Sequence, residues 1–208
     1  MPSQGSRPPT WRASLRRRHV QGIPRHCVGF NIVELMVVIA IVSILLSIGT
    51  ASYRYVTFSN RVSSEINGLL GDLQTARSEA VKAGLPVSVC PSTDGSSCAT
   101  TGGWQQGWIV FSDFNGDGAV DSTTDAVLRV QKAFTSADTL VPDDATVNFV
   151  TFNREGFATS IPGADSASGV TFKLNTQPAD TKWERCLNIG WVGNMATQRA
   201  ATSPTTCN

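Results

Sequence analysis

From Leu35 to Gly49 the chain presents only apolar and small residues, and a weakly polar stretch carries the run to Val56. That exceeds the ~20 residues a helix needs to cross a bilayer. No polar face interrupts the run before Tyr53, as one would in the buried helix of a soluble domain. One carboxylate, Glu34, stands at its head. From Val62 the pattern changes: Val62, Ile66, Leu69, Leu73, Ala76 and Ala80 alternate steps of four and three, while Arg61, Glu65, Asp72, Arg77, Glu79 and Lys82 take other faces. Gly84 and Pro86 then provide a stop. The spacing predicts one helix from about Phe30 to Ala83, on the order of 80 Å long at 1.5 Å per residue. Its first part (30–56) is lipid-embedded, and its amphipathic continuation (57–84) needs a surface to pack on.

Residues 85–208 supply that surface. They are rich in Gly, Thr, Ser, Asn and Asp and lack a helical period, but short β-like runs recur: "PVSVC", "GWIVFSD", "AVLRVQKAF", "TVNFVTFN", "GVTFKLN" and "CLNIGWVG". Turn-forming "DFNGDG", "NREG" and "IPGADSASG" separate them. The expected architecture is α+β, an antiparallel β domain of ~120 residues laid on the helical stripe.

Residues 1–29 carry Arg7, Arg12, Arg16, Arg17, Arg18 and Arg25 and no acidic residue, the composition of a cytoplasmic leader rather than a fold. A cut between Gly29 and Phe30 precedes the apolar run and keeps it, unlike the cut of a secretory signal peptide. Gly29, Phe30 and Glu34, followed by that run, resemble the prepilin signature of type IV pilins and type II secretion pseudopilins. Asn31 and Ile32 stand where Thr-Leu is usual. The resemblance implies cleavage after Gly29 by an inner-membrane prepilin peptidase, N-methylation of Phe30 and use of Glu34 in assembly. It also implies a single-pass protein of the bacterial inner membrane with its C-terminal domain in the periplasm. The physical logic is that a carboxylate in hydrocarbon is expensive unless paired. The new amine of Phe30 on an adjacent subunit is the available cation, so a wrong axial register would leave both charges unpaired.

The remainder is similar to the GspH/FimT family of minor pseudopilins and minor pilins, through "LLGDLQTARSEAVKAGLPVSVC", "GWIVFSDFNGDG" and "FNREGF". That resemblance implies a type IV pilin-like fold and a structural subunit whose partners are other pilins or pseudopilins. Such a subunit primes or caps a type IV pilus or a type II secretion pseudopilus at its tip.

Cysteine usage fits export. Of five cysteines Cys27 lies in the leader, leaving Cys90, Cys98, Cys186 and Cys207. Four cysteines allow three pairings, and closeness in sequence favours Cys90 with Cys98 and Cys186 with Cys207. Catalysis has little to work with: His19 and His26 are both in the leader, which removes Ser-His-Asp, Cys-His and His-zinc arrangements from the mature chain. Neither a phosphate loop nor a dinucleotide fingerprint is present. The expectation is a non-enzyme without a cofactor.

Two binding sites remain to be tested. "DFNGDGAVDSTTD" places Asp113, Asn115, Asp117, Ala119 (through its carbonyl) and Asp121 at alternate positions of a calcium loop. Thr124 stands where a bidentate Glu is expected, and a hairpin loop capped by its own Asp and Asn side chains accounts for the same letters. Some FimT-group members are DNA-uptake receptors, which brings in Lys182, Arg185 and Arg199, with Trp183 and Trp191 as stacking faces. Here "GNMATQR" stands where those receptors carry a Gly-Arg-x-Arg type motif. Of seventeen Lys and Arg residues six lie in the leader, leaving eleven against sixteen acidic residues, a formal balance of −5 that repels phosphate overall.

Overall fold

The computed structural model describes residues 29–100, 103–161, 169–180, 182–199 and 207; the side chains of residues 48–52 and 160 are outside the description. The leader therefore lies outside the described residues. The chain divides into two compact units, one ending at Leu46 and the other beginning at Ser47. Among the described residues no helix is long and apolar enough to cross a membrane.

The long helix expected from the sequence is present as α1 (Ile32–Ala83). Its start has a local cause: Asn31 Oδ1 accepts the Val33 N–H at 3.3 Å, and the Leu35 N–H closes onto the Asn31 carbonyl at 3.1 Å. Asn31 is thus a competent helix cap. At the other end the Gly84 N–H bonds to the Ala80 carbonyl with Gly84 at φ +70°, an αL stop that glycine adopts without steric penalty.

In the first unit every described side chain from Phe30 to Leu46 is exposed. In the second, Val62, Ile66, Leu69, Leu73, Ala76 and Ala80 are 0–2% exposed, the stripe that the step-of-three-and-four pattern predicts.

Nine strands follow α1: β1 (Val87–Pro91), β2 (Gly107–Ser112), β3 (Val127–Lys132), β4 (Thr139–Pro142), β5 (Val150–Phe152), β6 (Ala158–Ser160), β7 (Val170–Asn175), β8 (Arg185–Ile189) and β9 (Met195–Arg199). They form two antiparallel sheets, in the orders β3-β2-β1-β5-β6 and β4-β7-β8-β9. Each of the six β-like runs contains a strand. The other three strands, β4, β6 and β9, are sheet edges whose sequences lack an apolar alternation, so only their pairing partners define them.

Both sheets contribute to one core around the helical stripe. Val87, Val89, Val110 and Phe152 come from the first sheet, Leu140, Phe172, Leu174 and Leu187 from the second, with Trp104 and Trp108 filling the space between. Strand β1 is buried on both faces because its outer residue Cys90, with Ile109 and Phe111, is covered by Cys98, Val120 and Phe149.

Candidate functional site

The amino-terminal signature lies in the first unit. Gly29 has no atom within 4 Å of where a Cβ would stand, Phe30 is 72% exposed, and Glu34 occupies the first turn of α1. The Glu34 carboxylate forms no hydrogen bond or ion pair with a described side chain. The large apolar side chains beyond it are 44–63% exposed from Leu35 to Leu46, an apolar surface without a covering core in its own unit.

In the second unit the structure brings the named basic residues together unevenly. Arg185 on β8 pairs across the ladder with Arg199 on β9, and both line a groove of about 170 Å³ with Ser63, Ile66, Asn67, Thr197 and Gln198. Arg185 is only 8% exposed, and its Nη1 donates to the carbonyls of Glu184 at 3.1 Å and Lys182 at 3.3 Å. Burial, and then the charge of Arg199, lowers its pKa from the ordinary guanidinium value. Lys182 is exposed and does not line that groove. Trp183 stacks on the helix: its ring lies edge-on to Tyr55 at 4.7 Å between centroids, and 5.9 Å from Phe58.

The acidic loop after β2 folds onto itself. Asp113 is fully buried, and its oxygens accept the N–H groups of Gly116 at 2.7 Å, Gly118 at 2.9 Å and Asp117 at 3.2 Å, together with Ser88 Oγ at 2.5 Å. Ser88 is in turn 2.6 Å from the Thr151 hydroxyl, so the loop is pinned to β1 and β5. Asp117 receives the Ala119 N–H at 2.8 Å and the Asn115 amide at 2.9 Å. Asp121 accepts from the Thr123 hydroxyl and N–H, which hold its carboxyl below the usual range. Of the residues named for calcium, Asp113, Asn115, Asp117 and Asp121 accept hydrogen bonds from nearby donors, and Ala119 contributes its N–H to Asp117. Among the described residues no three or more Asp, Glu, His or Cys side chains surround a common point. Gly118 at φ +77° makes the closing turn, and a Cβ there would stand 2.4 Å from the Phe149 ring.

Disulfides join Cys90 to Cys98 and Cys186 to Cys207, each with Cα atoms 5.6 Å apart. Inside the first loop Asp94 accepts N–H bonds from Ser96 at 2.8 Å and Ser97 at 2.9 Å, which hold its carboxyl well below the usual carboxylate range.

The helix carries polar anchors that pattern reading assigned to its outer faces. Asp72 is 1% exposed; it accepts the Trp108 indole N–H at 2.8 Å and pairs with Arg129 Nε at 2.6 Å. The signal was its place three residues after Leu69, on the margin of the stripe. Arg61 Nη2 lies 3.0 Å from both oxygens of the buried Asp138, which also caps the Gln177 N–H at 2.7 Å. Glu65 accepts the Ser136 hydroxyl at 2.7 Å, while burial, with Asp138 nearby, raises its pKa to about 7. Arg77 Nε donates to the Gly156 carbonyl at 2.9 Å and Nη2 to the Val192 carbonyl at 3.3 Å, binding the turn of "FNREGF" and the β8–β9 turn to α1.

A family model described as type II transport protein GspH matches residues 65–193, more than half of the chain. Two crystal forms of the type IV minor pilin FimU of Pseudomonas aeruginosa are similar in structure. One has a TM-score of 0.51 at 22% identity, covering 72% of this chain and 95% of that one. The other has a TM-score of 0.48 at 24% identity, covering 71% and 98%. The first is a likeness of fold: a long helix packed on antiparallel sheets.

Proposed function

Because the chain belongs to the GspH family of type II transport proteins, structural subunits without catalytic activity, we propose that it is a minor subunit that primes or caps a type IV pilus or type II secretion pseudopilus at its tip. Before assembly it waits in the inner membrane as a single-pass protein, with the β domain in the periplasm. Prepilin peptidase cuts after Gly29, Phe30 becomes the N-methylated terminus, and Glu34 sets the axial register by neutralising that amine on a neighbouring subunit.

One observation carries this reading. Along one helix, α1, the apolar side chains from Ile32 to Leu46 are exposed, whereas Val62, Ile66, Leu69, Leu73, Ala76 and Ala80 are buried in the domain. An exposed apolar length of this kind is stable in lipid or against the apolar helices of other pilins. The test is mass analysis of the membrane-extracted protein together with filament assembly in a Glu34→Ala strain. A terminus at methylated Phe30 and lost or misregistered incorporation support the proposal. A terminus upstream of Gly29, or unaltered incorporation of Glu34→Ala, refutes processing or registration respectively.

A second reading, a DNA receptor for uptake, is favoured by the groove that Arg185 and Arg199 share. The backbone carbonyls already claim part of the Arg185 guanidinium, so Arg199 would make the phosphate contact. Titration of the detergent-solubilised chain with labelled duplex DNA at two salt concentrations decides it. Salt-sensitive binding lost in Arg199→Ala supports this reading, and no binding at low salt removes it.

A further inference from the structure

We propose that the second unit seats on the surface of an anionic bilayer, with phospholipid headgroups held by Arg54 and Lys182 beside a girdle of Tyr53, Tyr55, Phe58 and Trp183. This rests on the reading of the apolar run as a membrane segment and adds a lipid contact for the domain that follows it. Tyr53 comes directly after the apolar and small residues of that run in the sequence, and it is 72% exposed; Tyr55 is 61% and Val56 51% exposed. The rings form a platform: Trp183, reaching over from the segment before β8, meets Tyr55 edge-on at 4.7 Å and Phe58 at 5.9 Å. Such rings, apolar in body and polar at one edge, are the side chains that settle at headgroup level.

Two clefts adjoin the platform. One of about 510 Å³ is lined by Arg54, Thr57, Phe58, Arg61 and Pro178; a smaller one of about 190 Å³ by Arg54, Tyr55, Phe58, Pro178, Asp180 and Trp183. Arg54 is common to both. Arg61 lies over the Phe58 ring at 4.1 Å, but its charge is already countered by Asp138 at 3.0 Å. Asp180, the acid in the smaller cleft, accepts the Lys182 backbone N–H at 3.0 Å. The Arg54 and Lys182 side chains are exposed and form no ion pair with a described carboxylate. The patch therefore combines aromatic surface with two cations that form no ion pair with a described carboxylate, against the single negative charge of Asp180, and this net positive balance matches an anionic lipid surface.

The experiment reconstitutes the full chain in vesicles of phosphatidylcholine alone or with added phosphatidylglycerol, with lipids brominated at shallow depth as quenchers. The Trp183 signal is obtained by difference from Trp183→Phe. Strong quenching of Trp183 with phosphatidylglycerol, and a docked-to-undocked ratio lowered roughly 30-fold in the Arg54→Gln/Lys182→Gln double variant, is the expected result. Both substituted side chains are exposed, so the variant retains its core. Unquenched Trp183 in a chain that resists carbonate extraction overturns the seat while leaving the membrane segment standing. Equal quenching in both vesicle types, unchanged in the double variant, overturns the headgroup contact. A chain that carbonate strips from the vesicles overturns the membrane reading itself.

Discussion

Replacing Asp72 with alanine removes two contacts of different worth, and the structure lets them be separated. The Trp108 indole N–H, in a residue 1% exposed, loses its acceptor at 2.8 Å and has no route to water. An orphaned buried donor costs roughly 1–3 kcal/mol. The ion pair with Arg129 is short at 2.6 Å, yet the Arg129 side chain is 57% exposed and returns to solvent when Asp72 is gone. That loss is worth at most about 1 kcal/mol. Alanine recovers about 0.5 kcal/mol of helix propensity. The net expectation for Asp72→Ala is a destabilisation of about 0.5–3.5 kcal/mol, centred on about 2, which for a domain of this size lowers Tm by roughly 1–14 °C. Asp72→Asn keeps an acceptor oxygen for the indole and should cost about 1 kcal/mol, and Arg129→Gln less than about 1 kcal/mol. The assay is thermal unfolding of the detergent-solubilised chain, followed by near-ultraviolet circular dichroism, to which the buried Trp104 and Trp108 contribute. If Asp72→Ala and Arg129→Gln destabilise equally, the indole bond does not anchor α1 to β2, and the argument fails.

Glu65 makes stability pH-dependent. Its folded pKa of about 7 lies above the ordinary 4.5, so the folded state favours the protonated acid; this stabilisation is present below about pH 4.5 and lost as pH rises through 7. Thermal scans from pH 5 to 8 should show a falling Tm that flattens in Glu65→Gln; an equal slope in both would dissociate Glu65 from the effect. The disulfides close loops of 8 and 21 residues, and the chain-entropy estimate gives about 2.5 and 3.3 kcal/mol respectively, so Cys186→Ser should destabilise more than Cys98→Ser in denaturant titration. Gly118→Ala should cost more than about 1 kcal/mol, through both its φ of +77° and the clash with Phe149; calorimetry that finds it neutral would contradict the loop geometry.

Much of this protein is legible in one dimension because helices are periodic. The burial of Val62, Ile66, Leu69, Leu73, Ala76 and Ala80 follows from steps of three and four, and the end of α1 at Ala83 from Gly84 and Pro86. The same periodicity misplaced Asp72: spacing fixes which face a residue occupies, whereas the Trp108 indole that makes burial of a carboxylate tolerable lies thirty-six residues away. The edge strands β4, β6 and β9 were invisible for a related reason. "TLVP", "ATS" and "MATQR" have too little apolar alternation to announce a strand; β4 is defined by the distant β7, and β6 and β9 by pairing back onto the strands just before them.

The candidate sites divide along the same line. Gly29, Phe30 and Glu34 are proposed from the sequence alone, because the processing and pairing expected of them depend on residues close together at the head of an apolar run. The acidic loop reads as a self-capped turn more readily than as a calcium site, and only the fold shows which donors, Gly116, Asp117, Gly118 and Ser88, the Asp113 oxygens accept from. Arg185 and Arg199 are fourteen positions apart and neighbours solely through the β8–β9 ladder, and Trp183 meets Tyr55 across more than half the chain. Local order, charge and apolar length were therefore determined by the sequence itself. Which polar side chains are buried, which cations share a groove and which rings share a platform were decided by tertiary packing, since each depends on a partner that no local pattern encodes.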